Sequence, residues 1–351
     1  MAKAYYFAGL PLRARRGLSS DDVVLYKLLE SNTEKLDDIA IFFLPTVSSD
    51  IRVEEDSRAR IWVHQFNSWN DYMIMTRPLA FSLEEAERLA QTLKLRSDAK
   101  VVASFASSRL SSLRALAERF ADKVDGFEID LGLTYILSGG RRGFESYVID
   151  MLEEFVSESA RPVIVKLSPA APPTQEFLRH LKTIGVGAVI FSPHVVYSLG
   201  NEFFRVHSTY LSKVYALIWA KLATTSDVPS AYISDIPEHL LGDFAVERSF
   251  DIILYDTALL HRVASFPQVK RLGDEFLVRW SSIHERMRPA FNLREEPPCV
   301  DVCPFRAFTR EGEATGITGD FLVASEKCDR CGLCLSCCKS ARLVAFISPE
   351  E

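Results

Sequence analysis

The sequence predicts an α/β fold, a (β/α)8 TIM barrel followed by a small metal-stapled domain. Three observations carry this expectation. Short β-branched runs alternate with amphipathic helical stretches through most of the chain, the pattern of parallel strands joined by helical crossovers. A length of 351 residues exceeds one typical domain but suits one barrel and an appendage. All seven cysteines fall after residue 298.

Nine segments read as strands: Ala4–Ala8, Ile39–Leu44, Ile61–Phe66, Lys100–Phe105, Phe127–Leu131, Val163–Leu167, Ala188–Phe191, Ser230–Ser234 and Ile252–Tyr255. A barrel needs eight. Ile61–Phe66 is followed by the long stretch "NSWNDYMIMTRPLAF", so this region reads as an excursion above the barrel. A doubly wound open sheet is the competing topology. Helices fall between most of the strands. "SLEEAERLAQTLKL" opens with a capping box, Ser82 and Glu85. "TQEFLRHLKTIG" opens on Thr174 and stops at Gly185, a glycine suited to the left-handed C′ position. "LSSLRALAERF" and "SYVIDMLEEF" carry apolar stripes that read as core. The prolines and charges of "ERMRPAFNLREEPP" predict a break. The expected divisions are a barrel over 1–288, a linker over 289–298 and a small domain over 299–351.

Composition narrows the function. Apolar content is 48% and charged content 25%, as in an ordinary globular core and surface. Net charge is -6 with no basic stripe, which argues against nucleic acid as a partner. The apolar runs "IAIFFLPTV" and "VYALIWAKLA" are too short to span a membrane. The first residues lack the apolar core of a signal peptide, and clustered cysteines then suggest metal binding in a cytoplasmic protein.

The cysteines occupy two stretches, "CVDVCP" and "KCDRCGLCLSCCK". Cys328, Cys331 and Cys334 form C-x2-C-x2-C, a spacing that wraps three thiolates around one iron–sulfur cubane. Structural zinc usually takes two C-x2-C knuckles a dozen or more residues apart, so zinc is the weaker reading. The tail resembles a two-cluster ferredoxin in which one site has been lost. That resemblance implies a single [4Fe–4S] cluster on Cys303, Cys328, Cys331 and Cys334. It also implies that the leftover Cys299 and Cys338 lie close enough for a disulfide, with Cys337 a spare thiol.

Three stretches of the larger part resemble the dihydroorotate dehydrogenase and dihydropyrimidine dehydrogenase superfamily, whose members are FMN barrels. They are "KVVASFASSRLSSLRALAERFADKVDGFEIDL", "RPVIVKLSPAAP" and "SFDIILYDTALL". The resemblance implies an oxidoreductase acting on CH–CH bonds, with electrons relayed between the cluster and the barrel. It implies an FMN-type site near Lys166, Asp130, Asn67 and Thr257. An electron-transfer partner protein and an oligomeric assembly are also implied.

The chain departs from that pattern at several positions. Asp130 stands where the family has a flavin-binding asparagine, and Leu133 where it has a catalytic base. Leucine cannot move a proton. Ser138 and Ser146 are weak substitutes, and "GGRRG" with Arg141 and Arg142 reads as a solvated turn. Asp235 and Asp256 stand where the family presents glycine amides to the phosphate, and carboxylates repel a phosphate. The alternative reading is therefore an electron-transfer or assembly subunit whose barrel no longer binds FMN. By strand alternation Glu128, Asp130 and Lys166 share one side of neighbouring strands, so an ion pair competes with a flavin role for Lys166. His194 stands at a strand end and reads as a hydrogen-bonded rim residue.

Overall fold

The structure, a computed structural model, describes residues 5–21, 26, 39–51, 61–65, 72–76, 78–79, 81–199, 202–234, 249–256, 287–292, 308, 317–318, 321–323 and 341–345. The cysteines, Asn67, Thr257 and Asp235 lie outside them.

The chain begins with an antiparallel hairpin, β1 (Tyr5–Phe7) and β2 (Leu10–Leu12). Its two-residue loop, Ala8–Gly9, has positive φ at both positions, 50° and 78°. That is the twist a tight hairpin favours. Of the predicted strand Ala4–Ala8, Tyr5–Phe7 is extended, but it is not a barrel strand and Ala8 lies in the loop. The first barrel strand is β3 (Arg16–Leu18), which the sequence pattern missed.

Next come β4 (Ile41–Phe43), the hairpin β5 (Ile61–Gln65) and β6 (Tyr72–Thr76), helix α1 (Leu83–Arg96) and β7 (Lys100–Phe105). Helix α2 (Leu110–Phe120) leads to β8 (Gly126–Asp130). Two helices follow, α3 (Leu131–Leu137) and α4 (Phe144–Glu158), before β9 (Val163–Leu167). Helix α5 (Gln175–Thr183) leads to β10 (Ala188–Phe191). A second hairpin, β11 (Val195–Leu199) and β12 (Glu202–Ser208), precedes α6 (Thr209–Ser226). Strands β13 (Ser230–Ser234) and β14 (Ile252–Tyr255) complete the ring.

Eight parallel strands close in the order β3-β4-β7-β8-β9-β10-β13-β14 and back to β3. Chain order and spatial order coincide, which excludes the doubly wound alternative. The excursion also has a structure. Strands β11-β12-β6-β5 form one antiparallel sheet built from the connections that follow β10 and β4.

The expected caps are present. Ser82 and Glu85 exchange both bonds of the capping box, at 3.2 and 2.9 Å. Thr174 accepts from the Phe177 N–H at 3.1 Å. Gly185, at φ 88°, donates to the Lys182 carbonyl while Val186 donates to the Leu181 carbonyl. These two bonds complete a Schellman turn, which no Cβ-bearing residue enters cheaply.

Alternation sorts each barrel strand into two faces. Val163, Val165 and Leu167 of β9 join the apolar layer beneath the helices, while Ile164 faces inward. Inward residues form layers along the barrel axis. At the N-terminal end the hairpin residues Phe7, Ala8, Leu10 and Leu12 pack against Ile41, Ile164, Ile190 and Leu254. At the C-terminal end the inward positions carry charge.

Residues 287–292 form a strand where the sequence predicts a linker over 289–298. This strand, β15 (Met287–Asn292), pairs antiparallel with β17 (Phe321–Val323) and β18 (Ala341–Ala345), and β17 also pairs with β16 (Ile317–Thr318). Pro289 sits in the strand opposite Leu343 of β18, outside the stretch Ala290–Asn292 that pairs with β17. Among the described residues, no helix is long and apolar enough to cross a membrane.

Candidate functional site

The C-terminal mouth of the barrel holds a buried polar cluster. Its members arrive from distant parts of the chain. Ser20 and Asp21 follow β3, and Ser104 lies on β7. Glu128 and Asp130 are on β8, and Lys166 is on β9. Ser192 and His194 follow β10, and Asp256 follows β14. Arg205 and His207 come from β12 of the excursion sheet, which brings that sheet to the mouth. All are buried, with Asp21, Glu128, His207 and Asp256 at 0% exposure.

Lys166 is the hub. Its Nζ lies 2.5 Å from Asp21 Oδ1, 2.6 Å from Ser20 Oγ, 2.8 Å from Asp130 Oδ2 and 3.1 Å from Glu128 Oε1. The register Asp130↔Lys166 places two of these groups side by side. Arg205 bridges the same carboxylates. Its guanidinium meets Asp21 Oδ1 at 2.5 Å and also pairs with Asp130 Oδ2. Asp130 has a third task, accepting from the Leu133 N–H at 3.0 Å as the N-cap of α3.

Burial alone would favour neutral forms. For Lys166, burial pulls the ammonium pKa down, but Asp130, Asp21 and Glu128 outweigh it and the net shift is upward. Arg205 is raised in the same way, chiefly by Asp21 and Asp130 against burial. Both stay cationic. For Asp21, burial pushes up, and Arg205, Lys166 and the His194 contact together hold the carboxyl well below its ordinary value. Glu128 goes the other way. Burial lifts its pKa, Asp130 adds to the rise, and Lys166 compensates in part. Its Oε1 accepts from Ser104 at 2.5 Å and Ser20 at 2.6 Å.

The histidines line the other side. His194 Nδ1 lies 2.6 Å from Asp21 Oδ2 and 3.5 Å from Asp256 Oδ2. His207 Nδ1 lies 3.2 Å from the same Asp256 oxygen. The two imidazole centroids are 4.2 Å apart.

Among known proteins, no family model and no curated protein matches the chain. Solved structures do match. One is FabK from Thermotoga maritima, at 12% identity over 52% of this chain, with a TM-score of 0.34. The match covers 49% of that chain, so the present chain spans about half its length.

Of the residues singled out in the sequence, Lys166, Asp130, Glu128, His194 and Asp256 are brought together. Leu133 is buried. Ser138 donates to the Tyr135 carbonyl at a helix end, and Arg141 stacks over Tyr147 at 4.4 Å, as a turn residue does. Asn67, Thr257, Asp235 and the cysteines Cys299, Cys303, Cys328, Cys331, Cys334, Cys337 and Cys338 lie outside the described residues. Asp21, Arg205 and His207 were missed. Asp21 follows the unrecognised strand β3, in "LSSDD". Arg205 and His207 alternate on β12 in "FFRVHS", so a polar inward face was readable there had the excursion been assigned.

Proposed function

We propose that the chain is an iron–sulfur electron-transfer protein carried on a TIM barrel that does not use FMN. One [4Fe–4S] cluster is held by Cys303, Cys328, Cys331 and Cys334. When bound, such a centre supplies one-electron transfer, here to a partner protein. The support for the cluster is the donor set itself, three thiolates at successive x2 spacing and a fourth in a C-P context.

One observation carries the barrel half of the reading. An ammonium has three N–H donors. Lys166 Nζ is enclosed by Asp21, Ser20, Asp130 and Glu128, all within 3.1 Å, and the residue is 1% exposed. In the superfamily that the sequence resembles, this lysine serves the flavin. Here its donors are already engaged by side chains, and Asp256 is buried beside the mouth. These contacts support a barrel that does not offer Lys166 to FMN in the pose that the resemblance implies. A CH–CH oxidoreductase with a cluster feeding a barrel flavin is the less favoured reading.

Anaerobically purified protein tests this. About four iron and four sulfide per chain, without released flavin, are expected for one cubane. Cys303→Ala should abolish the cluster. Stoichiometric flavin on denaturation would instead support the flavin enzyme. Zinc without sulfide would overturn both readings.

A further inference from the structure

We propose that His194, His207 and Asp256 form a binding site for a divalent transition-metal ion of zinc or iron(II) type. This goes beyond the electron-transfer reading and does not depend on it. The three residues offer ligand atoms that all lie within 4.8 Å of one another, and all three are fully buried.

The separations suit a metal site. Charge-assisted bonds between imidazole and carboxylate run about 2.7–2.9 Å. His194 and Asp21 are just below the short end of that range, 2.6 Å apart. Asp256 lies beyond its long end. Its Oδ2 stands 3.2 Å from His207 Nδ1 and 3.5 Å from His194 Nδ1. Ligands about 2.0–2.1 Å from a tetrahedral ion lie about 3.3–3.4 Å from one another. Asp256 Oδ2 and His207 Nδ1, 3.2 Å apart, are therefore spaced as two ligands of one ion.

The donor chemistry narrows the ion. Two imidazoles and one carboxylate suit zinc or iron(II), whereas magnesium and calcium take oxygen ligands. Asp21 holds the His194 ring through Nδ1, as the outer partner of a metal-ligating histidine does, which leaves Nε2 as the ligand atom of His194. Lys166 and Arg205 hold Asp21 in turn through its other oxygen. Among the described residues, the mouth brings Asp21, Glu128, Asp130 and Asp256 against the two fixed cations Lys166 and Arg205. A divalent ion adds positive charge to that set.

The experiment is cobalt(II) binding by the full chain, dialysed free of loosely held metal under anaerobic conditions. Wild type is expected to take up one equivalent whose visible bands lack thiolate-to-cobalt charge transfer. His207→Gln and Asp256→Asn should each lose that equivalent while keeping iron and sulfide at the wild-type level. Should either variant fail to fold, the wild-type spectrum, and its persistence in Cys303→Ala, still decides. Equal uptake in folded variants, no uptake by wild type, or bound cobalt showing thiolate charge transfer throughout would overturn the site. Loss of iron and sulfide in Cys303→Ala bears on the cluster reading alone, so the two proposals fail separately.

Discussion

A glutamate buried among charges can ionise beside a cation or keep its proton, and Glu128 has reasons for both. Burial and Asp130 raise its pKa, while Lys166 at 3.1 Å and the Ser104 and Ser20 hydroxyls favour the carboxylate. The net direction is upward. A raised acid binds its proton more tightly in the folded chain than in the unfolded one. Its stabilising share is complete below the unfolded value, about 4.3, and is lost as pH rises through the folded value. Asp21 has the opposite sign. Its lowered pKa contributes stability above the unfolded value, about 3.9, which is lost as pH falls through the folded one. The two windows lie on opposite sides of pH 4, so they can be separated. Glu128→Gln keeps an oxygen for the two hydroxyls and leaves Asp21 and Asp130 on Lys166, but carries no proton to titrate. Denaturant midpoints measured from about pH 4 to 8 should fall with rising pH in wild type and fall less in the variant, each bound proton being worth up to about 1.4 kcal/mol per pH unit. A variant with the full wild-type slope would show that another group titrates there.

Strand β3 closes the barrel with three residues, and its middle one has no room for a side chain. A Cβ on Gly17 would stand 2.6 Å from Ile41 Cγ2, 2.6 Å from Leu254 Cδ2 and 2.8 Å from the Ile41 carbonyl oxygen. The methyl groups can turn away, but the carbonyl belongs to the neighbouring strand β4. Gly17→Ala should therefore cost about 1–3 kcal/mol, read as a lower urea midpoint with the slope unchanged. Wild-type stability in that variant would mean the seam between β14, β3 and β4 has slack. The same crowding explains why β3 was not legible. "RGL" has neither β-branching nor length, because the closing strand is short and its inward position must be empty. Other barrel strands announce themselves through runs such as "AVIF" and "IILY", which are apolar on both faces. Caps were legible for a similar reason, since Ser82, Glu85, Thr174 and Gly185 act on backbone within a few residues. The polar cluster was legible in part. Alternation on adjacent strands joins Glu128, Asp130 and Lys166. Arg205 reaches Asp130 across 75 residues of sequence, through a sheet that forms by pairing two separate excursions. No local pattern encodes that meeting.

At the scale of the molecule, the barrel and the cysteine tail have different sources of stability. All eight barrel strands precede residue 256, and the ring closes on itself. Its core is an apolar layer under the helices plus a plugged interior. Among the described residues the C-terminal sheet has four short strands, of two to six residues, and in sequence the two cysteine stretches fall between β15 and β16 and between β17 and β18. A unit that small rarely buries enough apolar surface alone, and the proposed cluster would supply the difference. The sheet is tied to the larger core through Phe308 and Leu322, each 3% exposed within the apolar layer. Removing the proposed cluster should therefore act unevenly. In Cys303→Ala, limited proteolysis is expected to cut after the barrel strands and leave a resistant fragment ending beyond β14. Denaturant unfolding should separate into an early loss of the tail and a barrel transition lowered by no more than the burial of two apolar side chains, about 1.5–3 kcal/mol each. A single transition that moves as one, with cleavage inside the barrel, would mean that the tail and the ring form one cooperative unit. The cluster would then be structural for the whole chain, and its redox state would couple to barrel stability.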